Sequence, residues 1–220
     1  LVRHVEAEPF TGTFKLPASK VPEDDFPEGE SVRLLDSPQD ADSVILAALV
    51  YEQTQLSWEQ CVEAVSGLSP QARQSLWNKV FAHIRPWSKM HRAFELADFT
   101  FELAMSESCW AQFKRHRVGT IIKQKNPSTG LCVMPEAIIS IGRADHWDEL
   151  LDRVEGLRDS LAAVLPELSA YARLNADRVR VLVKMNLREL YHLIRLRCDE
   201  HAQWEINLLA HDIASELRQA

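Results

Sequence analysis

The chain has 220 residues, of which 46% are hydrophobic and 26% are charged, as is typical of a globular protein with one substantial core. Its 25 lysines and arginines and 32 aspartates and glutamates give a net charge of −7. Because a surface of that sign repels phosphate groups on average, general binding to nucleic acid or to an anionic membrane is disfavoured. No apolar run approaches the ~18 residues needed to cross a bilayer, so we expect no membrane-spanning segment.

Four cysteines are scattered along the chain without a CxxC pair, at Cys61, Cys109, Cys132 and Cys198. This usage favours buried thiols in a reducing compartment over a disulfide framework or a zinc site. Residues 1–4 do not show the pattern of a signal peptide. We therefore predict a cytoplasmic protein.

Residues 1–30 hold four prolines among charged residues and glycines, which predicts a loosely ordered N-terminal extension. The remaining residues, 31–220, are predicted to form a single domain. Its first element is a short strand over 31–35, ended by the turn residues 36–38. The apolar composition of 40–53 then predicts a buried helix.

Capping signals predict the next two helices. Ser57 and Gln60 form a capping-box pattern, and Ser69 precedes Pro70 at a first helical position, where the missing N–H of proline costs nothing. The first of these helices has an apolar face consisting of Trp58, Cys61, Val62 and Val65. The residues that the second is predicted to bury are Trp77, Val80, Phe81 and Ile84.

The period of the apolar residues then changes from helical to alternating. Alternation over 99–103 predicts a strand with one solvent-facing side, and Ser106 can cap a short helix that continues to residues 115–117. A β-branched stretch over 120–122 and a turn over 126–130 follow.

A helix, a strand and a C-terminal helical region complete the chain. Residues 147–165 carry an apolar stripe at helical spacing, and alternation over 178–184 predicts another strand. The last helix is predicted to bury Ile206, Leu209, Ala210, Ile213 and Leu217. Helices outnumber strands, and the strands lie far apart in sequence. This arrangement predicts an α+β fold, with a small mixed or antiparallel sheet flanked by several helices.

The densest group of cations is the segment 112–117, Gln-Phe-Lys-Arg-His-Arg. One interpretation is a solvated basic helix end, since cations are favoured near helix C-termini by the macrodipole. The other is an anion site, since guanidinium groups bind phosphate bidentately. The segment alone is compatible with both.

A second polar cluster, near the C-terminus, could place Arg188, His192 and His201 around one pocket. Structural roles are also available to its members. Asn186 could cap a helix, His192 could be a hydrogen-bonded core histidine, and Arg197 could pair with a carboxylate.

Other kinds of site have less support in the sequence. Glu189 and His192 have the spacing of a carboxylate–histidine metal pair, but a di-metal site needs two copies of this pair, so we expect no metal. No Gly-rich phosphate loop, GxSxG elbow or HExxH motif is present. A total of seven glycines argues against a Rossmann-type dinucleotide turn.

The C-terminal cluster resembles a known signature. Residues 196–206 (Leu-Arg-Cys-Asp-Glu-His-Ala-Gln-Trp-Glu-Ile), preceded by 186–190 (Asn-Leu-Arg-Glu-Leu), are similar to the C-terminal signature of flavin-dependent thymidylate synthases. Arg115-His116-Arg117 resembles the start of that family's RHRxxS signature, and 94–101 resembles its strand entering the active site. The resemblance covers roughly residues 31–215.

This resemblance implies a methyltransferase of dTMP biosynthesis. Such an enzyme transfers a methylene group from methylenetetrahydrofolate to C5 of dUMP, with reduced FAD as the hydride source and NADPH to recharge it. No cysteine nucleophile attacks the pyrimidine in this family. The protein therefore has to bind flavin and nucleotide, stack the two rings and polarise the uracil with positioned charge. The resemblance also implies a homotetramer in which several subunits contribute to each site.

The resemblance implies roles for individual residues as well. The residues expected to hold FAD are Arg115, His116, Arg117, Asn186, Arg188, His192 and His201. The residues expected to bind the nucleotide are Gln112, Arg115 and Arg197. Arg197 is the expected catalytic residue, because its guanidinium would lie against the uracil carbonyls and stabilise the negative charge that develops as C5 attacks.

The chain departs from the family pattern mainly where the nucleotide phosphate and sugar would bind. Thr120 stands where the signature has Ser. The Asn, Glu, Ser and Arg that follow in the signature are replaced by Ile122, Lys123, Lys125 and Pro127. Met90 stands in place of a flavin-contacting His, and Ala162 in place of a nucleotide-binding Arg. The expected flavin and uracil-ring contacts are thus better kept than the phosphate contacts, which leaves the identity of the uracil nucleotide open.

Three hypotheses about function follow. The leading one is an FAD-dependent thymidylate synthase-like enzyme acting on dUMP or a related uracil nucleotide. The alternative is a catalytically impaired flavin-binding or structural homologue of the same fold. The third is a helical partner-binding module without a ligand.

Overall fold

Four strands and eight helices occur in the parts of the chain that the computed structural model describes, residues 30–85, 87–124 and 132–220. The strands are β1 (Val32–Asp36), β2 (Asp98–Ser106), β3 (Thr120–Lys123) and β4 (Arg178–Asn186). The helices are α1 (Ala41–Gln53), α2 (Trp58–Ser66), α3 (Pro70–Phe81), α4 (Glu107–Phe113), α5 (Glu136–Ser140), α6 (Ala144–Val164), α7 (Leu187–Arg197) and α8 (Trp204–Gln219). Short 3₁₀ helices span Arg92–Leu96 and Pro166–Ala172.

The strands form one antiparallel sheet in the order β1-β2-β4-β3. The two central strands pair over their whole length, from Asp98 opposite Asn186 to Ser106 opposite Arg178. β1 pairs with the other edge of β2, and β3 with the other edge of β4. The predicted α+β class is confirmed, and the sheet is antiparallel rather than mixed.

The core lies on one face of this sheet because apolar residues alternate along β2 and β4. Strand residues at most 1% exposed include Phe101, Leu103, Val181 and Val183. Residues that α7 and α8 add to the same core are Leu190, Leu193, Ile206, Leu209 and Ile213. The opposite face carries Arg33 and Arg180, each 3.9 Å from the Glu102 carboxylate, and also the exposed Leu182 and Ile122. The predicted alternation and the predicted face of the last helix are both confirmed, although Leu217 is only partly buried.

Three predicted helix faces are less buried than expected. Trp58 and Val62 are exposed, because α2 packs mainly on α1, through Cys61 and Val65. In the next helix Trp77 and Val80 are partly buried, whereas Phe81 is exposed and Ile84 lies beyond the helix end. None of the residues of α6 is buried, because its main contacts are with the 3₁₀ helix Pro166–Ala172 and not with the sheet. The amphipathic pattern predicted these helices correctly, but it did not predict which elements pack against their apolar faces.

Two of the four cysteines depart from the prediction of buried thiols. All four are free, and Cys61 and Cys109 are buried as predicted, whereas Cys132 and Cys198 are half-buried. Within the described part of the chain, no helix is both long and apolar enough to cross a membrane. The predicted N-terminal extension, the turn over 126–130 and the departures at Lys125 and Pro127 lie outside the described residues.

The capping box predicted at the start of α2 is present. The Gln60 N–H donates to Ser57 Oγ (3.3 Å), and the Ser57 N–H donates to Gln60 Oε1 (2.9 Å). We expect Ser57→Ala to lower the free energy of unfolding by about 1 kcal/mol, because an N-terminal N–H loses its acceptor. Urea denaturation would measure the change, with Ser75→Ala as the matched control. Ser75 is exposed within α3 and caps no helix, so an equal loss in both variants would contradict the capping argument.

Candidate functional site

The site is built around α4, which continues directly from the end of β2. Ser106 caps the helix, with its Oγ accepting the Cys109 N–H at 3.0 Å. The helix was predicted to continue to residues 115–117, but it ends at Phe113. Residues 115–117 lie in the turn that follows it. In that turn the His116 N–H donates to the Phe113 carbonyl at 3.0 Å. The short helix thereby directs the His116 side chain inward.

The His116 imidazole is buried between two residues of α7. Its Nε2 accepts a hydrogen bond from the Arg197 Nε–H at 3.2 Å, and its Nδ1 lies 3.5 Å from Glu189 Oε1. Because Nε2 acts as an acceptor, we assign the proton to Nδ1 of a neutral ring. Burial, together with the positive charge of Arg197, lowers the pKa of His116 to about 4. The imidazole therefore holds Arg197 as a neutral acceptor at physiological pH.

Arg197 is fixed at a second point as well. Its Nη2 donates to the Gln112 carbonyl at 3.3 Å, at the last turn of α4. Among the described residues, no carboxylate lies within ion-pair distance of Arg197, so its interpretation as an ion-pair partner is wrong. Burial and the nearby Arg115 lower the pKa of the Arg197 guanidinium, which nevertheless stays charged. The structure thus brings Gln112, His116 and Arg197 together from two distant segments.

Two further side chains of α7 border this cluster. The His192 ring lies 6.3 Å from the His116 ring, and it is exposed, so its interpretation as a core histidine is wrong. Glu189 is buried, and burial raises the pKa of its carboxyl group. Glu189 was considered only as half of a metal pair in the sequence, and its role opposite His116 was missed. Within the described part of the chain, no group of three potential metal ligands is present.

Three other predicted residues make contacts elsewhere. Arg188 donates to the Met90 carbonyl and to Glu95 Oε1, both at 2.8 Å. Asn186 caps α7 by accepting the Glu189 N–H at 2.9 Å, which confirms its structural interpretation. His201 is exposed in the connection between α7 and α8. None of these three side chains hydrogen-bonds to His116 or Arg197.

The two outer residues of the Arg-His-Arg triplet face solvent. Arg115 and Arg117 are both exposed, and neither pairs with a carboxylate in the described regions of the chain. Arg115 is close enough to Arg197 to lower the pKa of that guanidinium. The triplet thus presents two available guanidinium groups next to the buried His116, as an anion site requires.

The segment that departs from the family signature contains a charge cluster that sequence reasoning missed. Lys123 Nζ lies 2.6 Å from both carboxylate oxygens of Glu107, and Arg173 Nη1 lies 3.1 Å from Oε1 of the same group. The ammonium also lies 5.5 Å from the centre of the Trp110 ring. Lys123 is therefore engaged with a carboxylate rather than free to meet a phosphate. The sequence did contain a signal for this cluster. Lys123 stands where the signature has Glu, and a partly buried lysine needs a carboxylate partner.

Cys109, which lies near this cluster, has an unreactive thiol. Cys109 is buried in α4, and burial followed by the charge of Glu205 raises the pKa of its thiol well above the usual range. Because a thiolate is the reactive form of cysteine, Cys109 is not suited to act as a nucleophile.

The chain matches the sequence model of a known protein family. The sequence model of the family described as "Thymidylate synthase complementing protein" matches residues 33–220, which is most of the chain. The chain belongs to this family. The resemblance to flavin-dependent thymidylate synthases is thereby confirmed, and the α+β architecture is consistent with it.

Several curated proteins are similar to the chain in sequence. The chain is 30% identical over 135 residues to a protein named "Flavin-dependent thymidylate synthase" from Pyrococcus furiosus, covering 56% of the chain and 55% of the relative. A protein of the same name from Geobacter sulfurreducens is 29% identical over 128 residues, covering 53% and 54%. A "UPF0159 protein" from Chlamydia muridarum is 24% identical over 131 residues, covering 60% and 25%. The chain spans about half the length of the named synthases it matches.

Proposed function

We propose that the chain is a flavin-dependent thymidylate synthase-like methyltransferase. It would methylate dUMP, or a related uracil nucleotide, reductively at C5, with methylenetetrahydrofolate as the carbon source, reduced flavin as the reductant and NADPH to regenerate it. The observation that supports this proposal most strongly is the Arg197 guanidinium, held by His116 and by the Gln112 carbonyl without a carboxylate partner in the described chain. Such an arrangement leaves a positioned positive charge for a substrate.

In this proposal Arg197 acts on the uracil ring. Its guanidinium would face the uracil carbonyls and stabilise the negative charge that builds up there as C5 attacks. Gln112 and Arg115 would contact the same nucleotide from α4 and the turn after it. His116 would act through Arg197, because its Nε2 is already occupied by the Arg197 Nε–H. A guanidinium held before substrate arrives needs no reorganisation during the reaction.

The donors present fit a flavin dinucleotide in part. The exposed Arg115 and Arg117 would hold the diphosphate, because guanidinium forks match its oxygens. Reduced flavin, when bound, supplies the hydride for the methylene group. Arg188 would have to exchange its bonds to Glu95 and Met90 for a flavin contact. His192 and His201 are exposed and available for contact.

We also propose a homotetramer. The exposed apolar stripe of α6 supports it, since Leu150, Leu157 and Val164 are 42%, 50% and 78% exposed and such a face is normally covered. Sedimentation equilibrium is expected to give four chains per particle, and a monomer at micromolar concentration would contradict the proposal. Location in the cytoplasm stays a prediction from the cysteine usage.

The proposal is tested by tritium release. The purified protein, with FAD, NADPH and methylenetetrahydrofolate, is expected to release tritium from dUMP labelled at C5, or from UMP labelled at the same atom. Omission of the folate is the control, because C5 loses its tritium only after it has attacked the methylene group that the folate supplies. Background release from both nucleotides would remove the proposal.

A catalytically impaired, flavin-binding homologue is the second candidate. It is favoured by Lys123, whose ammonium is held by Glu107 at 2.6 Å instead of being free for a nucleotide phosphate. If this second candidate function is correct, the protein binds FAD, which is seen in its visible spectrum. Neither dUMP nor UMP then changes the spectrum of the bound flavin. Saturable binding of dUMP that is lost in Arg197→Ala would exclude it.

A further inference from the structure

A buried carboxylate joins the first turn of α8 to the start of α4. Glu205 is 9% exposed, and its Oε1 accepts the backbone N–H of Ser106 at 2.7 Å. The Ser106 hydroxyl donates to the other carboxylate oxygen. Both oxygens of Glu205 are thus committed to one residue that lies 99 positions away in sequence.

This contact sets the direction of the cap of α4. The Ser106 hydroxyl proton points to Glu205, which leaves a lone pair of the same oxygen for the Cys109 N–H. An isolated helix of seven residues is not stable in water, so the placement of α4 depends on contacts of this kind. Glu205 therefore fixes the N-terminal end of α4.

The other end of α4 carries the groups that meet Arg197. A seven-residue helix is about 10 Å long, so a tilt of about 6° at Ser106 would move the Gln112 carbonyl by about 1 Å. The bonds from Arg197 to Gln112 and His116 measure 3.3 and 3.2 Å and would not survive such a shift unchanged.

The same turn of α8 also holds the helix that carries Arg197. Asn207 Nδ2 donates to the Arg197 carbonyl at 3.1 Å and to the Asp199 carbonyl at 3.0 Å, at the end of α7. Glu205 and Asn207 stand two positions apart, and between them they tie α4 and α7 to one rigid element.

We propose that Glu205 is a positioning residue: through Ser106 it sets where α4 places the Gln112 carbonyl and His116 against Arg197. It touches neither of the reacting molecules in the proposed function, on which the catalytic part of this inference rests. Glu205→Gln keeps the volume of the side chain but replaces one carboxylate oxygen with an NH2 donor, so one of the two hydrogens that Ser106 now donates to separate oxygens would face a donor instead of an acceptor.

Two measurements on the 220-residue chain test this role. Glu205→Gln is expected to lower kcat for tritium release by about 10- to 100-fold, because a misplacement of about 1 Å has effects of that order. Independently of activity, ¹⁵N spectra of histidine-labelled protein are expected to show the His116 Nε2 resonance displaced in the variant. Ser106→Thr, which keeps the hydroxyl, is expected to retain the wild-type resonance. Glu216→Gln, the same substitution later in α8, is the control.

The outcomes separate the role of Glu205 from the proposed function. An unchanged His116 resonance in Glu205→Gln overturns the positioning role, whatever happens to thermal stability or kcat. A displaced resonance in a protein whose wild-type form releases no tritium supports positioning and removes the proposed function. If Glu205→Gln does not fold, Ser106→Ala removes the same hydroxyl bond and is judged by the same resonance.

Discussion

Arg197→Ala is expected to lower kcat for tritium release from C5-labelled nucleotide by about 10²- to 10³-fold, the usual effect of removing one positioned donor from a developing negative charge. Arg197→Lys is expected to recover little of this loss. An ammonium keeps the charge, but it lacks the fork with which Arg197 bonds to His116 and to the Gln112 carbonyl at the same time. Steady-state kinetics with each variant would measure both changes.

The matched control is Arg195, on the same helix. Its guanidinium is exposed and donates to the Ser88 carbonyl at 3.1 Å, away from α4. Arg195→Ala is expected to leave kcat within about twofold of the wild-type value, since the described contacts of Arg195, with the Ser88 carbonyl and the Tyr191 ring, lie outside the proposed site. Equal kinetics for Arg197→Ala and the wild-type protein would contradict the role given to Arg197.

The stability of the protein is expected to fall as the pH is lowered from about 6.5 to about 4, because of His116. The pKa of His116 is about 6.5 in the unfolded chain and about 4 in the folded chain. Burial is the main cause of this lowering, and the charge of Arg197 is the second. At a pH between these two pKa values, His116 is protonated in the unfolded chain but neutral in the folded chain, so a fall in pH favours unfolding. The loss is on the order of 3 kcal/mol for this group. The raised pKa of Glu189 acts in the opposite direction and offsets part of it at the lower end.

Urea denaturation between pH 7.5 and pH 4.5 measures this dependence. Other groups contribute to the wild-type slope, so the informative quantity is its difference from that of His116→Gln, which cannot bind the proton. This variant is expected to show the flatter profile. His201→Gln, at an exposed position, is expected to run parallel to the wild type. A slope in His116→Gln as steep as that of the wild type would show that His116 is not the group responsible.

Much of the fold could be predicted because its signals are local. Alternation in 99–103 and 178–184, the capping box at Ser57 and the apolar face of the last helix depend on residues a few positions apart, and the structure confirms each of them. What covers an apolar face depends on distant elements. The stripe of α6 therefore gave a correct helix and no information about its surroundings.

The sequence predicted which residues form the site better than it predicted the hydrogen bonds between them. The resemblance identified Gln112, His116 and Arg197, and the structure brings these three together. It could not predict that His116 would act as an internal acceptor, since Glu189 and Arg197 approach it from a helix more than seventy residues away. Burial decides whether a histidine is charged, and burial is a property of the fold.

The Lys123–Glu107 contact means that the lysine that departs from the family signature has a carboxylate partner in this chain. Reversion of Lys123 alone to the signature Glu would set two carboxylates side by side, with Arg173 as their shared cation. A variant that restores Glu at position 123 therefore needs a cation at position 107 in the same step, so that the pair keeps one charge of each sign.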